Sequence, residues 1–158
     1  MLLFIVGCAN LEFVYNDNRP DDKIQNKIQL SVSGNGKPEI IRYFSEKIGS
    51  DEEKGSLVLQ VISTKSEKNL VTENDGSTLK SEITRSIEYA LLKKKERCLI
   101  SSKTINTRSI YNSKAAGYNF GTDISIAEIS KTNIQDNIDE YLNYILAKYD
   151  SFKCVNED

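Results

Sequence analysis

LKSEITRSIEYALLKKKER, residues 79–97, is the stretch of sequence that decides the fold. Most of its apolar side chains fall on odd-numbered positions, namely Leu79, Ile83, Ile87, Tyr89 and Leu91. Alternation with a period of two is typical of a strand that buries one face. The charged residues at 93–97 then predict a solvated turn, and Cys98 begins a return strand through Ile100, Ile105, Ile110 and Tyr111. We therefore predict a long antiparallel hairpin.

Three further elements are predicted before this hairpin. Alternation at Ile28, Leu30 and Val32 indicates a first strand that ends in a turn at 34–36. Pro38 suits the first turn of a helix, and apolar residues continue at helical spacing until Gly49 closes the segment: Ile40, Ile41, Phe44 and Ile48. Residues 56–65 are rich in aliphatic side chains and predict a buried strand, followed by a polar connection over 66–77.

The last predicted element is an amphipathic helix. After a loop at 112–123, apolar residues recur at steps of three and four: Ile134, Ile138, Tyr141, Leu142, Ile145 and Tyr149. The helix is expected to begin between Asp123 and Thr132. The order β-α-β-β-β-α predicts an α+β fold, a two-layer sandwich in which a four-stranded, mainly antiparallel sheet packs against two helices. In the return strand, Ile100 and Ile105 fall on opposite faces, which predicts either a β-bulge or burial on both sides.

The composition argues against several classes of function. The 158 residues include no histidine, which excludes histidine bases, histidine triads and histidine-ligated metal. A formal charge of −2 gives no overall field that would attract nucleic acid. Asp51, Glu52 and Glu53 could in principle act as acid and base, but a charge run in a polar loop is typical of a solvated surface. We expect no enzymatic activity, no cofactor and no metal.

The amino terminus suggests a lipid anchor. Residues 1–7 are uncharged and mostly apolar, and they lead into Ile5-Val6-Gly7-Cys8, which fits a bacterial lipoprotein signal with a small residue before the modified cysteine. The stretch is short and lacks a basic start, so we interpret 1–7 as a truncated signal peptide. In this interpretation the thiol of Cys8 carries a diacylglyceryl thioether. The alternative is a buried first strand with a free cysteine.

The rest of the chain divides into three parts. Residues 8–22 contain the candidate lipidated cysteine and a polar tether, 23–150 form a single α+β domain, and 151–158 form a polar tail. Ala9 follows the cysteine where an aspartate would favour retention in the inner membrane. We therefore expect a lipid-anchored protein on the periplasmic side of the cell outer membrane.

This layout resembles the LPS-assembly lipoprotein family, LptE. The resemblance covers the chain from Cys8 to Tyr149 and is greatest in Ser109-Ile110-Tyr111-Asn112, the loop after it and the helix at 133–146; only Cys8 corresponds residue by residue. It implies a non-enzymatic outer-membrane component that assembles with the LptD-type β-barrel, plugs its lumen and assists lipopolysaccharide transport. An alternative is another periplasmic lipoprotein, such as an auxiliary subunit of a lipid or solute transporter.

Two candidate sites accompany this interpretation. Lys93, Lys94, Lys95 and Arg97 are candidate contacts for the phosphates of lipopolysaccharide, because cations pair with phosphate oxygens. Lysines at a turn more often serve solubility, and the same turn could instead face anionic loops of a barrel. Cys98 and Cys154 could form a disulfide in an oxidising periplasm, although the sequence does not place their Cα atoms within bridging distance.

Overall fold

A computed structural model describes residues 24–49, 55–72, 74, 78–112 and 119–155, without the side chains of 78–79 and 119–125. The elements are β1 (Ile28–Gly34), α1 (Lys37–Ile48), β2 (Leu57–Thr72), β3 (Thr78–Lys93), β4 (Cys98–Asn112) and α2 (Asn119–Lys148), followed by a 3-10 turn at Tyr149–Ser151. The predicted α+β class and its element order are therefore confirmed. The expected signal peptide at 1–7 and tether at 8–22 lie outside the described residues.

The four strands form one sheet in the order β1-β2-β3-β4. β1 is parallel to β2, with α1 as the crossover between them, whereas β2, β3 and β4 are antiparallel neighbours. Gly34 ends β1 opposite Ser63 with a φ of 90°, and a Cβ at this position would lie 2.0 Å from the carbonyl oxygen of Ser63. Only glycine can occupy so close an approach of two backbones.

One face of the sheet packs against both helices. The odd-numbered residues of β2 and β3 point to this face, and α1 contributes Ile40, Phe44 and Ile48 to the same cluster. At its centre the ring of Tyr89 stacks on that of Tyr141, with 3.8 Å between the ring centroids. None of the described helices is both long and apolar enough to cross a membrane.

Two elements are longer than the sequence predicts. β2 continues through the exposed, mostly polar residues 66–72 and remains paired with β3 as far as Thr72, which faces Thr78. Residues 65–72 are exposed on both faces of the strand, so no apolar alternation marks them. α2 begins at Asn119, before the earliest predicted start at Asp123. Its first turn includes Gly121 and Thr122, which are weak helix formers, so local propensity does not indicate it.

The irregular alternation of the return strand is explained by a β-bulge. Leu91 pairs with Ser101 and Leu92 pairs with Leu99, so Ile100 is an extra residue on β4. Ile100 and its neighbour Ser101 are both buried. The bulge that the sequence offered as one explanation is therefore confirmed.

Candidate functional site

The basic tip of the hairpin is a turn at 94–97 between β3 and β4. Lys94, Lys95 and Arg97 are exposed there. Lys93 differs, because it is half-buried and its Nζ donates to the carboxylate of Glu96 at 3.1 Å. Three of the four candidate phosphate contacts therefore face solvent, while the fourth is held in an ion pair within the turn.

The tip is attached to neighbouring parts of the chain on both sides. The backbone N–H of Lys94 donates to the carbonyl of Ser56 at 2.9 Å, which fixes the turn beside the start of β2. On the other side, the N–H of Val155 donates to the carbonyl of Leu99 at 2.9 Å. The residues after α2 therefore return to the beginning of β4, and Phe152 packs against the edge of the core.

The structure places Cys98 and Cys154 side by side at this position. Their sulfurs are bonded and their Cα atoms are 5.5 Å apart, although 56 residues separate them in sequence. A carboxylate oxygen of Glu96 lies 3.1 Å from Sγ of Cys154. Carboxylate and thiolate are metal-ligand types, and these three groups lie within 4.8 Å of one another. Sulfurs bonded to each other are not thiolates, so the group offers no metal site while the bond is intact.

Cys8, the predicted lipidation site, lies outside the described residues. Its modification stays a prediction, and so does the direct contact of the basic tip with lipopolysaccharide.

A second region, which sequence reasoning missed, is a cavity on the helical side of the sheet. It has a volume of about 640 Å³ and lies between the first turn of α1, the middle of β2 and β3, and α2. Its lining includes Gly36, Pro38, Lys65, Arg85, Ser130 and Lys131. Arg85 is only 2% exposed, which makes it the most deeply buried charged side chain among the described residues.

The guanidinium of Arg85 is held by neutral acceptors. Its Nη1 donates to the backbone carbonyl of Asn35 and to Oγ of Ser63, both at 3.0 Å. Its Nη2 donates to Oγ of Ser130 at 3.1 Å. Its Nε has no hydrogen-bond partner. Burial lowers the pKa of Arg85, partly offset by the nearby carboxylate of Glu39, but a guanidinium remains protonated in proteins.

The sequence did contain a signal for Arg85. It occupies an odd position between Ile83 and Ile87, so the alternation of β3 points its side chain to the buried face. What the pattern could not indicate is the cavity, which depends on residues distant in sequence: Asn35, Ser63 and Ser130.

The same fold occurs in solved structures of several bacterial lipoproteins. One is a proposed lipoprotein from Caulobacter crescentus, with a TM-score of 0.63 and 10% identity over 80% of this chain and 92% of that one. Another is rare lipoprotein B from Shewanella oneidensis, with a TM-score of 0.59 and 14% identity over 80% and 97%. A third is a minor lipoprotein from Acinetobacter baumannii, with a TM-score of 0.58 and 12% identity over 84% and 98%.

The sequence itself gives no comparable match. No protein-family model matches the chain, and no curated protein is significantly similar to it. At 10–14% identity, what the chain shares with these lipoproteins is the fold.

Proposed function

We propose that this protein is a non-enzymatic envelope lipoprotein of the LptE type. In this proposal Cys8 anchors it to the outer membrane from the periplasmic side, and the domain plugs an LptD-type β-barrel and assists lipopolysaccharide transport. One observation carries the proposal: the sequence Ile5-Val6-Gly7-Cys8 precedes, in the same chain, a fold shared with lipoproteins over 92–98% of their length. Two surfaces of the domain add support.

The first surface is the outer face of the sheet, which the helices leave uncovered. Its exposed side chains on β4 occupy even-numbered positions and are mostly uncharged and polar: Ser102, Thr104, Asn106 and Arg108. Ile62 and Ile110 are also exposed on this face, by 49% and 53%. Polar side chains suit the wet, polar interior of a large barrel, and the two isoleucines offer apolar area that a partner would cover.

The second surface is the long hairpin. β1 ends at Gly34, opposite Ser63, so the remainder of β2 has β3 on one side only. Residues 64–72 span about 30 Å at ~3.3 Å per residue. This projecting ribbon and the basic tip at 94–97 lie toward opposite ends of the sheet, because Lys93 pairs with Leu57. The domain could therefore contact a surrounding barrel at both ends.

Lipidation is the first step to test. Metabolic labelling with a palmitate analogue should mark the wild-type protein, because acylation adds palmitate to a modified amino-terminal cysteine. Cys8→Ser should remove the label, and Cys98→Ser should serve as the matched control that keeps it. An unlabelled wild-type protein would reject the proposed anchor.

The barrel partner is the second step. Extraction of the tagged protein from its host with mild detergent should bring with it a large, heat-modifiable membrane protein. The double variant T104R/N106R places two charges on the outer face and should reduce recovery of that partner. N143R adds a charge at an exposed position of α2 and should not. Recovery of transporter subunits instead of a barrel would contradict the proposal and favour the auxiliary-subunit alternative.

Contact with lipopolysaccharide is the third step. Changing Lys94, Lys95 and Arg97 to serine should weaken lipopolysaccharide binding at low salt, since these three cations face solvent. Lys93→Ser is the matched control, because its ammonium group already pairs with Glu96. Equal binding by the triple variant and the wild-type protein would show that the tip does not make this contact.

A further inference from the structure

We propose that the cavity beside Arg85 binds a phosphate group, carried either by a lipid headgroup or by inorganic phosphate. The site combines a buried cation with unused hydrogen-bond donors, the open amino terminus of a helix, and a rim with excess positive charge. This inference goes beyond the proposed function and does not depend on it.

The guanidinium of Arg85 has more hydrogen-bond donors than the described residues accept. A guanidinium carries five N–H donors in a planar fork that matches the oxygens of phosphate. Two donors of Nη1 and one of Nη2 are used by Asn35, Ser63 and Ser130. Nε is buried and has no hydrogen-bond partner, and among the described residues Ser130 is the one acceptor for Nη2. All three acceptors are neutral, and no carboxylate of the described residues forms an ion pair with Arg85 within 4.0 Å, so the buried charge is balanced only in part by the more distant Glu39, which is costly. An anion in the cavity would relieve that cost.

The amino terminus of α1 provides a second set of donors. Its N-cap is Gly36, which makes no side-chain capping bond, and Pro38 has no N–H. The first intrahelical bond runs from the N–H of Ile40 to the carbonyl of Gly36 at 3.0 Å. The N–H groups of Lys37 and Glu39 thus have no acceptor within the helix, as expected for a first turn. Such donors and the helix dipole favour an anion.

Gly36 also keeps the cavity open. Its φ is 75°, and a Cβ built on it would lie 2.8 Å from Cδ1 of Ile134 and 3.3 Å from Nη1 of Arg85. Any side chain at this position would therefore crowd the guanidinium that we propose as the main phosphate contact. The glycine allows the helix terminus and Arg85 to approach the same space.

The rim of the cavity adds cations. With Arg85, the described lining carries four cationic side chains and two acidic ones: Arg42, Lys65, Arg85 and Lys131 against Glu39 and Glu128. This excess matches the charge of about −1.5 to −2 on a phosphate monoester near pH 7. The rim cations have carboxylates within 4.0 Å, but these are surface ion pairs of small energy that a bound phosphate can replace.

The cavity is distinct from the basic tip. Leu57 of β2 pairs with Lys93, and Ser63, which contacts Arg85, lies six residues further along the strand. At about 3.3 Å per residue this is ~20 Å, too far for one phosphate group to reach both. Binding at the two places can therefore be measured separately.

The test follows the Nε–H signal of Arg85 by NMR in the full chain. Titration with inorganic phosphate, against chloride at constant ionic strength, should shift this signal to saturation, while the signal of Arg108 on the outer face should stay in place. A second titration uses dihexanoyl phosphatidic acid, with dihexanoylglycerol as the matched control without phosphate. Saturation by both phosphates supports a site for the group itself, and saturation by the lipid alone supports a headgroup site. If neither phosphate shifts the signal, the proposal is overturned.

Variants of the rim keep the test independent of folding, because Arg85→Gln could disturb the core. Glu39→Gln removes a competing carboxylate and should strengthen phosphate binding by about two- to fivefold, a change typical of exposed charges. K65S/K131S should weaken it by a similar factor or more, and Arg108→Gln should leave it unchanged. Wild-type affinity in both rim variants would mean that the cavity does not hold the anion. The failure of this test would leave the lipidation and barrel experiments unaffected, since it involves neither membrane nor partner.

Discussion

Loss of the bond between Cys98 and Cys154 should lower the free energy of unfolding without changing the native structure. The two residues close a loop with a sequence separation of 56. In the chain-entropy relation, a loop of this length removes about 14 cal/mol/K from the denatured chain, which is about 4 kcal/mol at 25 °C. Measured effects are commonly about 2–4 kcal/mol, so we expect C98S/C154S to lose an amount in that range.

The native state should tolerate this change for structural reasons. Both cysteines are half-buried at the surface, so serine leaves no large cavity there. The hydrogen bond from Val155 to Leu99 and the packing of Phe152 do not require the sulfurs. The loss should therefore arise mainly in the denatured chain, which becomes less constrained.

Urea unfolding followed by circular dichroism tests the predicted loss of stability in a C8S variant. In this variant Cys98 and Cys154 are the two remaining cysteines. Reduction of this protein should lower its unfolding midpoint to that of the triple variant C8S/C98S/C154S, which should not itself respond to the reductant. Thiol titration of the native, unreduced C8S protein should find no free thiol. Equal midpoints before and after reduction, or two free thiols at the outset, would refute the argument.

Three further predictions concern the core and the sheet. Tyr89→Phe should destabilise the protein by about 1–3 kcal/mol in urea unfolding, because it leaves Oδ1 of Asn137 buried without the donor now 2.8 Å away; an unchanged midpoint would contradict this. Gly34→Ala should cost more than about 2 kcal/mol in thermal unfolding, because it adds strain at positive φ to a clash with Ser63; a wild-type Tm would refute it. Burial raises the pKa of Tyr89 and of Tyr141 above the ordinary 10.0, so the folded state favours their neutral form. Their contribution to the free energy of unfolding is therefore complete below pH ~10 and is lost as the pH rises above it. Alkaline unfolding followed by tyrosinate absorbance should thus shift to higher pH in Y141F, and a midpoint unaffected by this change would contradict it.

The parts of the fold that the sequence predicted are those in which one face is buried. β3 alternates cleanly because its odd positions face two helices, and the bulge in β4 could be anticipated from the conflicting positions of Ile100 and Ile105. The exposed end of β2 could not be predicted in this way, because neither of its faces is buried. Residues 65–72 are solvated on both faces, so pairing with β3, and not burial, defines them as strand.

The candidate sites also differ in how much of each could be predicted from the sequence. The basic tip at 94–97 could be located because a charge run between two strands predicts a turn. The ion pair of Lys93 with Glu96 could not be predicted from the sequence, because it depends on the shape of that turn. The surroundings of Arg85 combine residues from the turn before α1, from β2 and from α2, and no local pattern brings those segments together.

The shape of the phosphate cavity depends on how α2 is placed on the sheet, and polar contacts about one helical turn beyond the cavity lining help to set that placement. Asn137 accepts from Tyr89 of β3 and donates to the carbonyl of Ile105 in β4 at 3.0 Å. An apolar interface would tolerate a small shift of the helix, whereas these directional bonds would be broken by it and would leave buried polar groups unpaired. Ser130 lies seven residues earlier on α2, or about 10 Å along the helix. The bonds of Asn137 therefore hold Ser130 within hydrogen-bond distance of Nη2 of Arg85, in the wall of the cavity.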